Sequence, residues 1–222
     1  MEGIHLHEIN YMKNLILIGA GAWALEVWSW IKEARGYNEE FKFKGFISNN
    51  LKEIDDKKYC DKKIIDTIDK YEIKVDDVFV CAIGNVAVKK RITSDFEKKG
   101  AVFINLIHNS VIFFKGVNLG KGIIVSPFCV LSNNCKISNH VSINLSSTIG
   151  HDTKIGCCSV ISSHCDLTGY VELEEDVFLG SSVTIAPSKK ICSNVFLGIG
   201  SVVLKNIRKK GVYLGNPAIK IG

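Results

Sequence analysis

The sequence predicts an α/β domain with a parallel sheet, followed by a β-helix of hexapeptide repeats. Two observations predict this fold class. Residues 14–107 alternate strand-like runs with amphipathic, helix-like runs, and from about residue 111 the helical pattern gives way to a period of six. We therefore expect two domains, over residues 12–108 and 109–222, and we expect the stretch before Met12 to be a leader or an alternative start.

The first half contains short apolar runs of the kind that form buried strands. They are NLILI, FKGFIS, DVFVCAIG and AVFINLI. Between them lie the helix-like segments AWALEVWSWIKEAR, KKIIDTIDKY and VAVKKRITSDFEKK. Strands that alternate with helices form βαβ units on a parallel sheet, so this half is interpreted as a small Rossmann-like domain.

In the second half an aliphatic residue recurs at every sixth position without a gap. These residues are Leu119, Val125, Leu131, Ile137, Ile143, Ile149, Ile155, Ile161, Leu167, Leu173, Leu179, Ile185, Ile191, Leu197 and Val203. Four residues later most hexads have a small or β-branched side chain, including Ser147, Thr153, Ser159, Cys165, Val171, Val177, Val183, Val195 and Ser201. Two inward positions per hexad fit a narrow coil of short strands. Three hexads make one triangular coil, so residues three hexads apart should stack, in about five coils.

Charge and composition exclude several classes of partner. The net charge of +5 comes from scattered residues, with no basic run interleaved with aromatics, so we expect no nucleic-acid binding. No apolar stretch reaches the roughly 18 residues that span a bilayer, and the N-terminus lacks the features of a signal peptide. We therefore expect a cytoplasmic protein without membrane contact. The eight cysteines show no CxxC pair and are expected to be reduced, with Cys129, Cys135 and Cys165 at inward small positions.

A glycine-rich turn follows the first strand-like run and precedes a helix-like one. Gly19, Gly21 and Ala22 fit a turn that cradles phosphate groups, although Ala24 replaces the third glycine of the usual fingerprint. No acidic residue ends the second strand, where Ser48 and Asn49 stand instead. A nicotinamide dinucleotide would need that carboxylate for its ribose, so NAD is a poor fit.

One histidine stands out from the repeat. His151 is the third residue of the hexad that begins at Ile149, so it should point outward, as should His140 and His164. Gly169 lies three hexads later and should stack one coil above His151. Histidine is the commonest general base in enzymes, because neutral imidazole is available near pH 7.

Several segments together resemble a known family. They are GAGAWALEV, GFISNN, CAIGN followed by Arg91, INLIHNSVI, SSTIGHDTKIG and GVYLGNPAIKI, and they span nearly the whole chain from Met12. The pattern resembles the left-handed β-helix acyltransferases of the hexapeptide family, in particular the nucleotide-amino-sugar N-acetyltransferases and the related sialic acid O-acetyltransferase-like proteins. The resemblance implies a homotrimer that binds acetyl-CoA between neighbouring β-helices and a nucleotide-linked amino sugar on the N-terminal domain, without a metal.

The resemblance also assigns roles to residues of this sequence. It implies that His151 is the general base, that Asp152 holds the imidazole, and that the N–H of Gly169 meets the thioester carbonyl. Adjacent residues on a strand point to opposite faces, so the contact between His151 and Asp152 depends on the geometry of the corner. The remaining coenzyme A contacts are expected at Gly180, Ser181, Gly198, Ile199, Lys205 and Lys220. The substrate contacts are expected at Gly19, Gly21, Ala22, Ser48, Asn49, Gly84, Asn85 and Arg91.

The implied reaction is direct acetyl transfer to the amine of a UDP- or dTDP-linked 4-amino-4,6-dideoxy sugar, for surface glycan assembly. The alternatives are O-acetylation of a sugar of the sialic acid type and an inactive binding protein that keeps the β-helix. A zinc site like that of the hexapeptide carbonic anhydrases is disfavoured, because His140, His151 and His164 are widely spaced and include no close pair. A covalent acyl-cysteine at Cys157 or Cys158 stays open.

Overall fold

The structure is a computed structural model, which describes residues 12–50 and 64–221. The stretch before Met12 and Cys60 lie outside these residues. The first half consists of β1 (Lys13–Ile18), α1 (Ala22–Trp30), β2 (Phe41–Ile47), β3 (Ile64–Asp66), β4 (Asp77–Cys81), α2 (Val86–Lys98) and β5 (Val102–Phe103), with a 3₁₀ turn over Ile31–Glu33.

These strands form one sheet in the order β3-β2-β1-β4-β5, and every neighbouring pair is parallel. The apolar run of β1 is buried on both faces. Leu15 and Leu17 pack with α1, whereas Ile16 and Ile18 pack with α2. A strand covered on both faces by helices needs a continuous apolar run, which is what NLILI provides.

The helix predicted for KKIIDTIDKY is wrong for the residues that the structure describes. Ile64–Asp66 forms the edge strand β3, and a turn follows it. Ile64, Ile68 and Tyr71 have helical spacing, but the last two are buried against the sheet from the turn, where the Tyr71 hydroxyl donates to Asp77 over 2.7 Å. The spacing reflects two separate contacts with the core and not one helix face.

The second half is a coil of short strands. They are β6 (Leu106–Ile107), β7 (Ile112–Phe113), β8 (Asn118–Leu119), β9 (Ile124–Val125), β10 (Val130–Leu131), β11 (Lys136–Ile137), β12 (Ser142–Ile143), β13 (Thr148–Ile149), β14 (Lys154–Ile155), β15 (Val160–Ile161), β16 (Asp166–Leu167), β17 (Glu172–Leu173), β18 (Phe178–Leu179), β19 (Thr184–Ile185), β20 (Lys190–Ile191), β21 (Val195–Leu197), β22 (Val202–Val203), β23 (Gly211–Leu214) and β24 (Ile219–Lys220).

Each strand stacks on the strand three before it in the chain, which makes a parallel β-helix with three flat faces. Face 1 runs from β7 to β22, face 2 from β8 to β20, and face 3 from β6 to β21, extended by β23 and β24. On face 1 each step of the register is three hexads, as in Leu131 on Ile149 and Ile149 on Leu167. The predicted β-helix is confirmed, and its inward positions are buried from Val125 to Val203, with Leu119 partly buried at the end of the coil.

Each face ends at a corner with a left-handed backbone residue. Twelve such residues with side chains recur every six positions between Phe128 and Asn194, with φ between 56° and 63°. We name the corners by what they carry. The histidine corner follows face 1 and includes residues 133–134, 151–152, 169–170 and 187–188. The helix corner follows face 2 (139–140, 157–158, 175–176 and 193–194), and the glycine corner follows face 3 (162–164, 180–182 and 198–200).

We call the end of the coil near β6 its lower end and the end near β22 its upper end. The first half packs on the helix corner and on the lower part of face 3, where Ile124, Ser142 and Val160 are buried. Lys90 of α2 pairs with Asp176 over 2.5 Å. His140 points away from the coil as predicted, but it is buried: its ring packs edge-on against Phe103 at 4.7 Å. Within the described residues, neither helix is long and apolar enough to cross a membrane.

Candidate active site

His151 and Asp152 contact each other at the histidine corner. The imidazole Nδ1 lies 2.9 Å from Oδ2 of Asp152. On an extended strand the two side chains would diverge, but the left-handed backbone of Asp152 (φ 59°) turns its carboxylate back toward the ring. The hydrogen bond with His151 lowers the pKa of Asp152, so the carboxylate stays charged and can stabilise an imidazolium.

Gly169 stacks above His151, as the three-hexad spacing predicts. A Cβ added at Gly169 would lie 2.5 Å from Nε2 of His151, so any side chain there would displace the ring from this position. The N–H of Gly169 makes no backbone hydrogen bond among the described residues. The equivalent N–H groups at other turns of the coil are also unpaired, but residue 169 has no side chain that could cover its own N–H. An open N–H beside an imidazole is suited to a developing oxyanion.

Two further residues of this corner were missed by the sequence reasoning. Asn134, one coil below, donates from Nδ2 to Oδ1 of Asp152 over 3.3 Å. Tyr170, one coil above, places its ring edge-on to the imidazole at 5.0 Å and 88°. Both lie three hexads from Asp152, so the register that led to Gly169 also leads to them.

The expected coenzyme A residues fall on two different corners. Gly180 and Ser181 stack under Gly198 and Ile199 at the glycine corner, where a Cβ on Gly180 would lie 2.7 Å from the backbone nitrogen of Ile199. Gly169 lies at the histidine corner instead. Lys205 follows β22 at the end of face 1, whereas Lys220 lies on β24 of face 3. A single chain therefore does not bring these residues into one groove.

Most expected substrate residues of the first half line one crevice at the carboxyl ends of β1, β2 and β4. Its volume is about 310 Å³, and its lining includes Gly19, Gly21, Ala22, Ser48 and Gly84. Gly19 has a φ of 103°, and a Cβ there would lie 2.9 Å from the Ala82 carbonyl oxygen, so glycine is required. Gly21 caps α1 without a side-chain hydrogen bond, which leaves the first N–H groups of that helix open to an anion.

Asn49, Asn85 and Arg91 line adjoining spaces. Asn49 is tied to Asp69 over 3.0 Å and shares a neighbouring pocket with Arg91. Asn85 caps α2 by accepting from the Val88 N–H over 3.0 Å. No hydrogen bond or ion pair joins the Arg91 guanidinium to any residue within the two described stretches.

A larger cleft, of about 870 Å³, separates the start of α2 from the upper part of face 3. Gly84 borders both this cleft and the smaller crevice, and Arg91 borders the cleft as well. Opposite α2 stand Phe178 and Phe196, whose rings stack at 4.6 Å with only 6° between their planes. Sequence reasoning missed this apolar wall, because outward residues carry no periodic signal.

The cysteines beside His151 in sequence are not beside it in space. Cys157 and Cys158 lie at the helix corner, one face further along the coil. Cys158 is buried, and burial raises the pKa of its thiol, which disfavours a nucleophilic thiolate. Across residues 12–50 and 64–221, no three His, Cys, Asp or Glu side chains form a group that could hold a metal ion.

Comparisons with known proteins agree with this architecture. Residues 14–96 match the family model of the PglD N-terminal domain. A curated relative, the GDP-perosamine N-acetyltransferase of Escherichia coli O157:H7, is 28% identical over 107 residues, which is 48% of this chain and 48% of that protein. The match thus spans about half the length of that relative.

Solved structures match over most of the chain. The acetyltransferase domain of PglB from Neisseria gonorrhoeae superposes with a TM-score of 0.83 at 20% identity, over 94% of this chain and 100% of that one. PerB from Caulobacter crescentus, solved with CoA and GDP-perosamine, gives a TM-score of 0.82 at 19% identity, over 94% and 97%. At this identity the likeness shows the fold. Together with the sequence matches, it confirms the predicted resemblance to sugar N-acetyltransferases with a β-helix.

Proposed function

We propose that the protein is an acetyl-CoA-dependent N-acetyltransferase acting on a nucleotide-linked amino sugar, in the cytoplasm, for surface glycan assembly. The observation that carries the proposal is the contact between His151 and Asp152 directly below the open N–H of Gly169. A general base, its orienting carboxylate and an oxyanion donor are the three parts that acyl transfer needs. The curated relative and the coenzyme A complex of PerB support the donor and the acceptor class.

The reaction is direct transfer. The neutral amine attacks the thioester carbonyl, His151 accepts the proton that the nitrogen loses, and the negative charge on the carbonyl oxygen is met by the Gly169 N–H. Collapse of the tetrahedral intermediate breaks the carbon–sulfur bond and releases coenzyme A, whose thiolate takes the proton from His151. Asp152 stabilises the imidazolium in between. Cys157 and Cys158 take no part in this proposal, because direct transfer needs no acyl-carrying nucleophile and burial raises the pKa of the Cys158 thiol.

The first half holds the nucleotide in this proposal. Its sheet has the strand order β3-β2-β1-β4-β5, and the crevice lies where the chain order reverses between β1 and β4, which is where open parallel α/β sheets bind ligands. The diphosphate meets the open N–H groups of α1 and the guanidinium of Arg91. UDP and dTDP are the predicted nucleotides and GDP is left open beside them. The GDP-linked substrate named for the two relatives supports GDP.

The sugar lies in the cleft between α2 and face 3. This cleft continues from the crevice past Gly84, and the stacked Phe178 and Phe196 give it an apolar wall. A dideoxy sugar has a methyl group in place of a hydroxymethyl group and suits such a wall. Phe196→Ala should therefore raise KM for the sugar nucleotide about tenfold and leave KM for acetyl-CoA unchanged.

The site is shared between subunits of a homotrimer in this proposal. The cleft lies beside the helix corner and face 3. His151 and Gly169 lie at the histidine corner, and the four expected coenzyme A residues between Gly180 and Ile199 lie at the glycine corner. These parts meet only between two copies. The histidine corner of one copy must face both the cleft and the glycine corner of the neighbouring copy. The uncovered upper part of face 3, where Phe196 is 43% exposed, is the place for that approach.

The central experiment measures free thiol release from acetyl-CoA with a panel of UDP-, dTDP- and GDP-linked amino sugars and with sialic acid. We expect turnover with a 4-amino-4,6-dideoxy sugar. His151→Ala should lower kcat roughly 10²- to 10⁴-fold with little change in the binding of either substrate. Cys157→Ser and Cys158→Ser should keep wild-type rates. Turnover with sialic acid alone would replace the N-acetyltransferase by an O-acetyltransferase, and no turnover at all would favour a binding protein.

A further inference from the structure

The histidine corner carries a column of three functional side chains. Asn134, Asp152 and Tyr170 occupy the same corner position in successive coils, and all three have the left-handed backbone that turns the chain there. An amide therefore lies below the carboxylate, and a phenol ring lies above it. His151 projects beside this column.

The contact from below fixes the carboxylate. Asp152 uses Oδ2 for the imidazole and Oδ1 for the amide of Asn134, at 2.9 and 3.3 Å. The terminal torsion of an aspartate is broad and is poorly defined by packing alone at a solvent-facing corner. A second hydrogen bond on the other oxygen restricts that rotation and hence the direction in which the carboxylate holds the imidazole.

The contact from above fixes the ring. Tyr170 donates its backbone N–H to the carbonyl oxygen of His151 over 2.9 Å, which joins two successive coils at the histidine corner. Its ring then meets the imidazole edge-on at 5.0 Å. The side chain is 56% exposed, and within the described residues its hydroxyl has no hydrogen-bond partner. The ring contact is therefore what this residue contributes to the corner.

We infer that Asn134 and Tyr170 are positioning residues that hold the His151 imidazole in the orientation required for proton transfer. The inference rests on the proposed function, in which His151 is the base. Asn134 acts through Asp152, and Tyr170 acts through its ring on the imidazole. The backbone of Gly169 lies beside the imidazole as well, so three residues restrict the orientation of the His151 ring. Misplacement of a catalytic group by about 1 Å typically lowers the rate by about 10²-fold.

For Tyr170 the test compares alanine with phenylalanine. Tyr170→Ala should lower kcat about 10- to 100-fold with both KM values unchanged, whereas Tyr170→Phe should stay within about twofold of wild type, because the ring remains. Phe128→Ala is the matched control, since Phe128 is an exposed aromatic residue with a left-handed backbone, φ 63°, two coils before residue 164 of the glycine corner. It removes a left-handed aromatic residue without touching His151, and should leave kcat unchanged.

For Asn134 the test is a double-mutant cycle with Asp152. Asn134→Ala should lower kcat about tenfold in the wild-type background and should have no further effect in Asp152→Ala, because the amide acts only through that carboxylate. Additive losses in the double variant would overturn the role of Asn134. A fall in kcat for Tyr170→Phe as large as for Tyr170→Ala would overturn the role of Tyr170, and so would a rise in KM alone.

The failure of this inference is distinguishable from the failure of the proposed function. If His151→Ala is inactive while Tyr170→Ala and Asn134→Ala keep wild-type kcat, His151 stays the base and only the positioning role is lost. If His151→Ala keeps wild-type turnover, the proposed chemistry and the inference fall together.

Discussion

At the scale of single residues, Gly169 determines where the imidazole can lie. A methyl group at 169 would lie 2.5 Å from Nε2 of His151, so the ring must move away from Asp152 to accept it. We expect Gly169→Ala to lower kcat about 10²-fold while sugar-nucleotide binding, measured by calorimetry, stays unchanged. A larger fall in sugar-nucleotide affinity than in turnover would contradict the stacking of these two residues.

The contacts of this corner could be predicted only in part. Residue spacing predicted Gly169 above His151, because a β-helix repeats every three hexads along the chain. It did not predict the contact between His151 and Asp152, which needs a left-handed residue at 152. The spacing also predicted that His140 points outward but not that it is buried, because the coil pattern contains no information on which residues the first half covers. The catalytic role of His151 itself stays a prediction.

At the scale of elements, α2 is anchored to the coil by a buried lysine. Lys89 is fully buried, and its ammonium group donates to the Ser142 hydroxyl and to the Ser159 carbonyl oxygen, each over 3.2 Å. Both acceptors belong to the β-helix, so Lys89 fixes the helix whose first residues border the crevice and the cleft. Burial lowers the pKa of Lys89 to about 8, and nearby Cys81, Cys158 and Asp176 oppose that shift.

This anchor predicts how stability depends on pH. Between about pH 8 and pH 10.5 the unfolded chain keeps a proton on Lys89 that the folded chain has lost, so the contribution of Lys89 to the free energy of unfolding should rise with pH. The rise is on the order of 3 kcal/mol for this group. The buried thiols act oppositely above about pH 9, because burial raises the pKa of Cys81 to about 12 and those of Cys129 and Cys165 to about 11.

Denaturant unfolding at several pH values checks this prediction by comparing wild type with Lys89→Met. The free energy of unfolding of the variant should lack the rise between pH 8 and 10.5 that Lys89 contributes, and should keep the fall that the buried cysteines contribute. Lys90→Met is the matched control, because Lys90 is the next lysine of the same helix and its side chain is exposed, whereas that of Lys89 is buried. Parallel pH curves for wild type and Lys89→Met would show that Lys89 is charged throughout.

Helices and strands could be predicted where all the apolar residues of a segment are buried in the same way. The run NLILI forms a strand covered on both faces, and every aliphatic hexad position from Val125 to Val203 is buried in the coil. KKIIDTIDKY failed because Ile64, Ile68 and Tyr71 reach the core from an edge strand and a turn, although their spacing imitates a helix face. Periodicity cannot separate these two cases in so short a segment.

At the scale of the whole molecule, the three corners of the coil have different surroundings. The helix corner is covered by the first half of the chain, while the histidine and glycine corners stay open. The hexad pattern predicted which residues stack, but it did not predict which corner the first half would cover. That choice depends on side chains such as Lys89 and Lys90, which look like ordinary solvated charges in the sequence. The consequence is that the proposed base and the nucleotide crevice are separated within one chain.

A shared site can be tested by mixing two inactive variants. His151→Ala removes the base, and Gly84→Trp fills the passage between crevice and cleft, where a Cβ meets no atom within 4 Å. If each site joins His151 of one chain to Gly84 of the next, every mixed trimer contains one intact site out of three. Random mixing makes about three quarters of the trimers mixed, so co-refolded variants should recover roughly one quarter of wild-type activity.

The matched control mixes His151→Ala with Asp152→Ala, whose defects lie in the same half of the site. That mixture should stay inactive, because no arrangement of the two chains restores both residues at one histidine corner. Light scattering on each sample should give a mass close to three chains. No recovery in the first mixture, despite mixed trimers, would place the whole site within one chain and overturn the shared site. The cleft beside Phe196 would then lose its role as the sugar site, because His151 of the same chain follows face 1 and Phe196 lies on face 3.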